Sequence, residues 1–386
     1  MARPPIDLEP GRGYITTTTE RDIDTGEMVL NIGPQHPSTH GVLRVVVHLD
    51  GEKVRRADPT IGYMHRGYEK LVEVRNPAQI TTLLNRLDWI SSFAYEVPFC
   101  IACETLAEIE VPERAKWIRV LMTELNRVGS HSLFCGVYGL ELGALTAPMY
   151  GYRDREYSLD LLEMVTGARL HTNYTRVGGM RDDLPKGFYD SIPKILEYYR
   201  TRIDQWLDFL IGNDVFIQRT RGIGVLPPEI GLDYGVSGPN LRASGPALDV
   251  RKTESYLGYD QFEFNVVTGE TGDCFDRYIM RVREMWESCN IIEQVIEGLP
   301  SGPVTSKVPR VFRVPAGEIS VYGEGPRGLV NYYLVSTGDR EPYRMKIRTP
   351  SFANVSVLPY LLDGVYVPDV VAILGSLDFV VGDVDR

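Results

Sequence analysis

The stretch Gly33-Pro34-Gln35-His36-Pro37-Ser38-Thr39-His40-Gly41, running on into Val42-Leu43-Arg44-Val45-Val46-Val47-His48-Leu49-Asp50-Gly51, is the most telling in the chain. Two histidines four residues apart would share one face of a helix and could bind zinc there. Pro34, Pro37 and Gly41 exclude that helix, because proline removes a backbone donor and glycine pays the largest entropy cost of helix formation. The segment is therefore a tight loop between strands, presenting two imidazoles from a constrained backbone. Val42, Val45, Val47 and Leu49 among short polar interruptions read as the strand that follows, and Asp50-Gly51 reads as a hairpin turn. The loop thus belongs to a small β region, residues 26–61.

Outward from it the pattern changes period. Ile118, Leu121, Met122, Leu125 and Val128 recur at helical spacing, with Pro112 just before the start at Glu113. Leu196, Ile203, Trp206, Leu207 and Leu210 form a second stripe. Phe275, Ile279, Val282, Trp286, Cys289 and Ile296 form a third, stopped by Gly298 and Pro300. Such stripes are core-facing surfaces of amphipathic helices. They place a helical core over residues 62–303, interrupted by a Gly- and Pro-dense stretch, Arg221 to Arg251, of the kind that serves a site or a partner. Residues 304–386 read as a C-terminal β/α region. Its strands are Ile319–Tyr322, Leu329–Ser336 and Tyr343–Ile347, with a turn at Gly338-Asp339. The apolar run Val370–Leu377 leads into Asp383-Val384-Asp385-Arg386, a terminus expected to be tied down. Residues 1–25 read as an N-terminal extension without the apolar core of a signal peptide. The expected class is α+β: a central helical bundle flanked by two β regions.

Composition narrows the function. The 386 residues carry a net charge of −11, which argues against nucleic-acid binding. No run of about 18 apolar residues predicts a transmembrane helix. Five cysteines in a chain this long make no disulfide framework and read as reduced thiols.

Several motifs bear on chemistry. Imidazole titrates near neutrality, so His36 and His40 can exchange a proton or bind a polar ligand. A metal site or simple structural turn histidines are the other readings of the same loop. Arg66, Arg86 and His171 are cations set in apolar sequence, and buried cations need partners. They either pair internally with carboxylates such as Asp88 or Glu163, or supply a positive environment to a redox centre. Cys100 and Cys103 form a lone C-x-x-C pair between predicted helices. Without a second pair it lacks the ligands of a zinc or iron–sulfur site and reads as buried thiols. Gly323-Glu324-Gly325-Pro326-Arg327-Gly328 matches G-x-G-x-x-G, but a strand follows where a nucleotide fingerprint needs a helix, so it reads as a hairpin loop.

Together these residues resemble the quinone-site subunit family of complex I-type NADH:quinone oxidoreductases over nearly the whole chain. The resemblance rests on Gly33–Gly41, Ile61–Gly67, Leu142–Thr146, Arg176–Gly179, Leu241–Gly245, Asp249–Lys252 and Gly382–Arg386, in that order. It implies a fold similar to the large subunit of [NiFe] hydrogenases, with the metal-binding cysteines gone and their cavity given to a quinone headgroup. It implies that His36 hydrogen-bonds one quinone carbonyl and donates a proton, with His40 and Glu141 as relay residues. Arg66, Arg86 and His171 are implied to surround the terminal iron–sulfur cluster of a neighbouring subunit. Two positions depart from the family. Trp89 stands where the family places a headgroup tyrosine, with Tyr95 nearby in sequence, and Glu141 stands where it places an aspartate.

The expected cofactor pattern is quinone as substrate, no cofactor or metal held by this chain alone, and no activity of the isolated chain. The expected partners are other complex I subunits: the B-type subunit carrying the cluster, the C-type peripheral subunit and the membrane H-type subunit. The expected location is peripheral, on the cytoplasmic side of the inner membrane. Two alternatives carry the same resemblance: a like subunit in a complex fed by a donor other than NADH, and a hydrogenase-like subunit that has lost its metal site.

Overall fold

Alternating valines do build the strand after the histidine loop. Val45, Val47 and Leu49 point into the core from Arg44–Asp50, which pairs antiparallel with Met28–Ile32 on one side and Lys53–Thr60 on the other. The structure, a computed structural model, describes residues 17–21 and 28–386. Thr17–Arg21, within the expected N-terminal extension, is the edge strand of this four-stranded sheet. The remainder of residues 1–25 lies outside the described residues.

The helical periodicity is realised in five long helices: Phe93–Leu106, Glu113–Glu141, Ala147–Thr166, Phe188–Trp206 and Cys274–Gly298. Pro112 caps the long helix Glu113–Glu141, and the chain turns away after it at Leu142-Gly143, where Gly143 has φ +93°. Ile118, Leu121, Met122, Leu125 and Val128 are all buried along it. Each such side chain contributes roughly 1.5–3 kcal/mol on burial. Small residues set how closely the next helix lies. A Cβ on Gly136 would come 3.1 Å from the backbone of Pro148 and Gly151, so Ala147–Thr166 packs almost backbone to backbone against it.

The Cys100–Cys103 pair lies inside the helix Phe93–Leu106, not between helices. Phe93, Val97, Phe99 and Ala102 are buried there, and this packing holds the helix together around Pro98. Burial pushes the Cys100 thiol up to about 12 and also raises Cys103 well above the ordinary thiol value. The stretch Arg221–Arg251 contains only the short helices Pro228–Asp233 and Pro239–Arg242 and the first turn of Val250–Thr253. Arg242 of this stretch is fully buried and ion-paired to Glu284 and Glu324.

At the C-terminal side, Gly317–Gly325, Gly328–Ser336 and Arg344–Arg348 form a three-stranded antiparallel sheet. The G-x-G-x-x-G run is the hairpin between its first two strands. The class is α+β, with sheets at both ends of the chain. The apolar run near the end forms the helix Val367–Ser376, whose Val370, Ile373 and Leu374 join the core that also holds the long helix. The chain then crosses the helical core as Leu377–Val380 and ends in a short helix, Val381–Asp385. Its terminus is indeed tied down: the Asp385 carboxylate accepts the backbone N–H groups of Gly62 and Met64 at 2.8 and 2.6 Å. Among the described residues no helix is long and apolar enough to cross a membrane.

Candidate functional site

The histidine loop is held by its own small residues. Gly33 has φ +82°, and a Cβ there would fall 2.2 Å from the Leu43 carbonyl oxygen, so only glycine fits. His36 caps the single 3₁₀ turn Pro37–Thr39, its Nδ1 accepting the Ser38 N–H at 3.1 Å. Buried Thr39 donates its hydroxyl to the carbonyls of His36, at 2.8 Å, and Pro34, at 3.1 Å. This turn leaves His40 in the left-handed region, φ +49°, and sends its ring inward rather than along the sheet.

There it meets both the long helix and the C-terminal crossing. His40 Nε2 lies 2.7 Å from Glu141 Oε1, and Nδ1 lies 3.2 Å from the Phe379 carbonyl oxygen. The imidazole stacks on the Phe379 ring at 4.7 Å. Burial alone would lower the imidazole pKa, but the Glu141 charge and hydrogen bond and the Phe379 carbonyl outweigh it, and the net shift is upward. With both ring nitrogens protonated, each N–H has an acceptor, so the cationic form is the better satisfied one. Glu141 Oε2 is buried and has no hydrogen-bond partner. A Cβ on Gly375 would sit 1.6 Å from it, so the Val367–Ser376 helix can pass this carboxylate only as glycine.

Beside the pair opens a cavity of about 220 Å³, lined by Pro37, His40, Trp89, Ile90, Leu133, Phe134, Val137, Tyr138, Arg327, Gly375, Asp378, Phe379 and Val380. Its walls are mostly apolar, with His40, Arg327 and Asp378 converging on it, which is the usual build of a small-ligand site. A dry cavity of roughly 150 Å³ already admits benzene, so one ring-sized group fits. None of the five cysteines lines it. Among the described residues no group of three or more His, Cys, Asp or Glu is placed to hold a metal ion.

Comparison with known proteins bears directly on this site. The family model described as "Respiratory-chain NADH dehydrogenase, 49 Kd subunit" matches residues 141–313 and 307–386, and so covers the carboxylate of the pair and the C-terminal cavity wall. The chain belongs to this 49-kDa subunit family. It is 46% identical to "NADH-quinone oxidoreductase subunit 4" of Thermus thermophilus, across 95% of this chain and 96% of that one. It is 45% identical to an NADH-quinone oxidoreductase subunit of Carboxydothermus hydrogenoformans, across 94% and 100%. It is also 45% identical to an NADH-quinone oxidoreductase subunit of Rhizobium meliloti, across 94% and 96%.

In this 49-kDa-family chain the expected site residues separate into two groups. His40 and Trp89 come together at the cavity, with Glu141 paired to His40 behind its wall. His36 does not line it; its ring nitrogen is engaged in capping the loop. Trp89 packs its ring against the short C-terminal helix, where a Cβ on Gly382 would lie 2.6 Å away. Tyr95 does not stand in for a phenol at the cavity. It is fully buried and donates its hydroxyl to Asp383 Oδ1 at 2.5 Å.

The three expected cluster-side cations are not set in an apolar interior. Arg66 is exposed on the Ile61–Gly67 loop, 5.8 Å above the Tyr68 ring. The loop carries it outward because Gly62 and Gly67 take positive φ and turn the chain along the surface. Half-buried Arg86 donates to the Thr82 carbonyl and the Asn85 side chain at 2.5 Å each. His171 is half-buried, and its pKa is lowered by burial and by the Arg86 charge. The expected carboxylate partners are taken: Asp88 pairs with Arg327, and Glu163 with Arg169.

Sequence reading does not reach Arg327, Asp378 and Phe379 at the cavity. Arg327 shows only as part of a rejected nucleotide motif. Asp378 and Phe379 belong to a stretch whose one sequence signal is its lack of cysteine. Asp378 has φ +50°, a strained setting for a non-glycine residue that no local pattern announces.

Proposed function

We propose that this chain is the subunit of a membrane-associated, proton-pumping NADH:quinone oxidoreductase that holds the quinone headgroup, with His40 as the proton-donating ligand. The observation that carries this reading is His40 in the wall of a ring-sized, mostly apolar cavity, paired behind that wall with Glu141. Family membership and the names of its relatives supply the reaction. Quinone reduction takes two electrons and two protons. The electrons arrive from an iron–sulfur cluster on a neighbouring B-type subunit, near Arg86, His171 and Arg66. The protons come from positioned acids at the headgroup.

Glu141 keeps the His40 ring oriented and favours its cationic form. The longer contact, Nδ1 to the Phe379 carbonyl at 3.2 Å, is the one a headgroup oxygen can replace. Donation along that bond leaves neutral imidazole still fixed by Glu141, ready for reprotonation. His36 serves the loop: it holds the turn that aims His40. The C-type and membrane H-type subunits complete the surroundings of this peripheral subunit on the cytoplasmic side of the inner membrane.

The test is a pair of variants in the assembled complex. His40→Ala should lower quinone reductase activity by roughly 10²–10⁴-fold, the worth of a positioned acid, with assembly retained. His36→Ala should cost only a few-fold. Wild-type rates in an assembled His40→Ala complex would remove His40 from the headgroup.

A further inference from the structure

The Gly323–Gly328 hairpin has the glycine spacing of a nucleotide loop without its helix, and what it delivers is a guanidinium. Its fit is close. Gly328 has φ +128°, and a Cβ there would lie 2.6 Å from Ser237 Oγ and 2.8 Å from the Gly238 nitrogen. Asn354 donates to the Arg327 carbonyl at 3.1 Å. With its backbone fixed on both sides, Arg327 turns fully inward and is 1% exposed.

Its partners come from three distant parts of the chain. NH1 donates to Asp88 Oδ2 at 2.8 Å and to Ser130 Oγ at 3.1 Å; NH2 donates to Asp378 Oδ1 at 3.2 Å. Nε has no partner, although it is buried. Arg327 and Asp378 both line the cavity that His40 lines. Asp378 is in turn 3.4 Å from Arg281, whose guanidinium lies 4.4 Å over Phe134, another cavity residue.

What sets this bridge apart from the other buried pairs is its place: Arg327 and its partner Asp378 both stand in the wall of the cavity. Replacing such a bridge by apolar packing is often neutral or stabilising. A fixed cation at a cavity wall has a second use. Electrons reach the headgroup as negative charge on its oxygens, and protons neutralise that charge. A guanidinium does not give up its proton near neutral pH, so it acts by charge and hydrogen bonding alone. Asp88 and Asp378 balance it while the headgroup is neutral. The attraction grows only as the headgroup becomes negative, which favours the reduction step over ground-state binding.

We propose that Arg327 is a catalytic residue of the quinone site: it contacts the headgroup across the cavity from His40 and stabilises the negative charge that reduction places on it. This rests on the headgroup reading of the cavity. The two electrons enter the quinone, one proton comes from His40 and the other from solvent-connected acid, and Arg327 keeps its own proton throughout.

The experiment uses the assembled complex with Arg327→Gln, Arg327→Lys and the charge-balanced double variant Arg327→Gln with Asp88→Asn. The double variant guards against loss of folding caused by an unpaired Asp88. Steady-state kcat and KM are measured with water-soluble short-chain benzoquinone and naphthoquinone, alongside His40→Ala. The expected result is a fall in kcat/KM of about 10²-fold in the Gln variants, the usual cost of one charge-stabilising donor. Most of the fall should appear in kcat, and Lys should recover most of it. An assembled double variant with wild-type kcat/KM overturns the proposal, as does a Lys variant no better than Gln. If the Arg327 variants are normal while His40→Ala is impaired, only the Arg327 role fails. If His40→Ala is also normal, the headgroup reading itself fails.

Discussion

Two glutamates on the same long helix, Glu124 and Glu141, live under opposite regimes. Glu124 is fully buried and saturated. It accepts from Arg127 at 3.1 Å, Arg251 at 3.2 Å, Tyr259 at 2.7 Å and Ser288 at 2.6 Å. Burial would raise its pKa, but Arg127 and Arg251 hold it below the ordinary carboxylate value. Glu141 has one partner, His40, and its second oxygen is buried without any. Both are glutamates with little-exposed side chains; the difference is that Glu124 is saturated while Glu141 pairs with one histidine of the cavity wall. The closed set around Glu124 suits a group that holds the fold, and the single pairing of Glu141 with a cavity-wall histidine suits a group that tunes that histidine.

The comparison can be broken at several points. The largest effect should follow Glu124→Ala. It leaves Arg127 and Arg251 buried without this acceptor, and breaking a buried pair costs about 3–5 kcal/mol. The assembled complex should be scarce and its thermal transition lowered; normal assembly and melting would show that saturation does not diagnose a structural role. The depressed pKa gives this contribution a sign. It is present above the ordinary carboxylate pKa and lost as pH falls through that value toward the folded one.

Glu141→Gln should leave assembly intact and move function instead. Without the carboxylate charge the His40 pKa drops, so the protonated donor is lost at lower pH than in the wild type. The alkaline limb of the pH–rate profile should shift to lower pH, with a smaller loss at its optimum than His40→Ala gives. An unshifted profile would mean that Glu141 does not tune His40.

A weaker effect is expected at the half-buried cations. Arg86→Met should lower the midpoint potential of the cluster proposed for the neighbouring subunit, since a nearby positive charge favours the more negative reduced state. His171→Met should flatten its pH dependence, because reduction raises the His171 pKa and draws in a proton. Redox titration of both variants at several pH values decides it; unchanged potentials and slopes would return these residues to a purely structural role.

The smallest change should come from Trp89→Tyr. The ring fills the space above Gly382, and the smaller phenol leaves a modest void costing on the order of 1–3 kcal/mol. Activity with ubiquinone-type substrates should be kept or raised, because phenol can donate a proton where indole only hydrogen-bonds. A complex crippled by the change would show that Trp89 shapes the pocket for a different headgroup.

The sequence by itself determined the elements and the chemistry on offer. Proline and glycine in Gly33–Gly41 forbid a helix, alternating valines make a strand, and the stripe from Ile118 to Val128 makes the long helix, because backbone sterics and side-chain period act over a few residues. The same stretch offered two imidazoles, and the family resemblance put His36 first with His40 as a relay residue. Only the tertiary structure separates the surroundings of His36 from those of His40: His40 reaches the cavity through a left-handed residue at 40 and Phe379, 339 positions away in the chain. The same holds for Arg327 and Asp378, whose meeting requires a hairpin, a helix and a C-terminal crossing to converge. It holds for Arg66, too, which the folded loop turns out to solvent. Local rules set what each residue can do, but which groups stay unsatisfied beside a cavity is a property of the assembled core, where partners are chosen by space rather than by sequence distance.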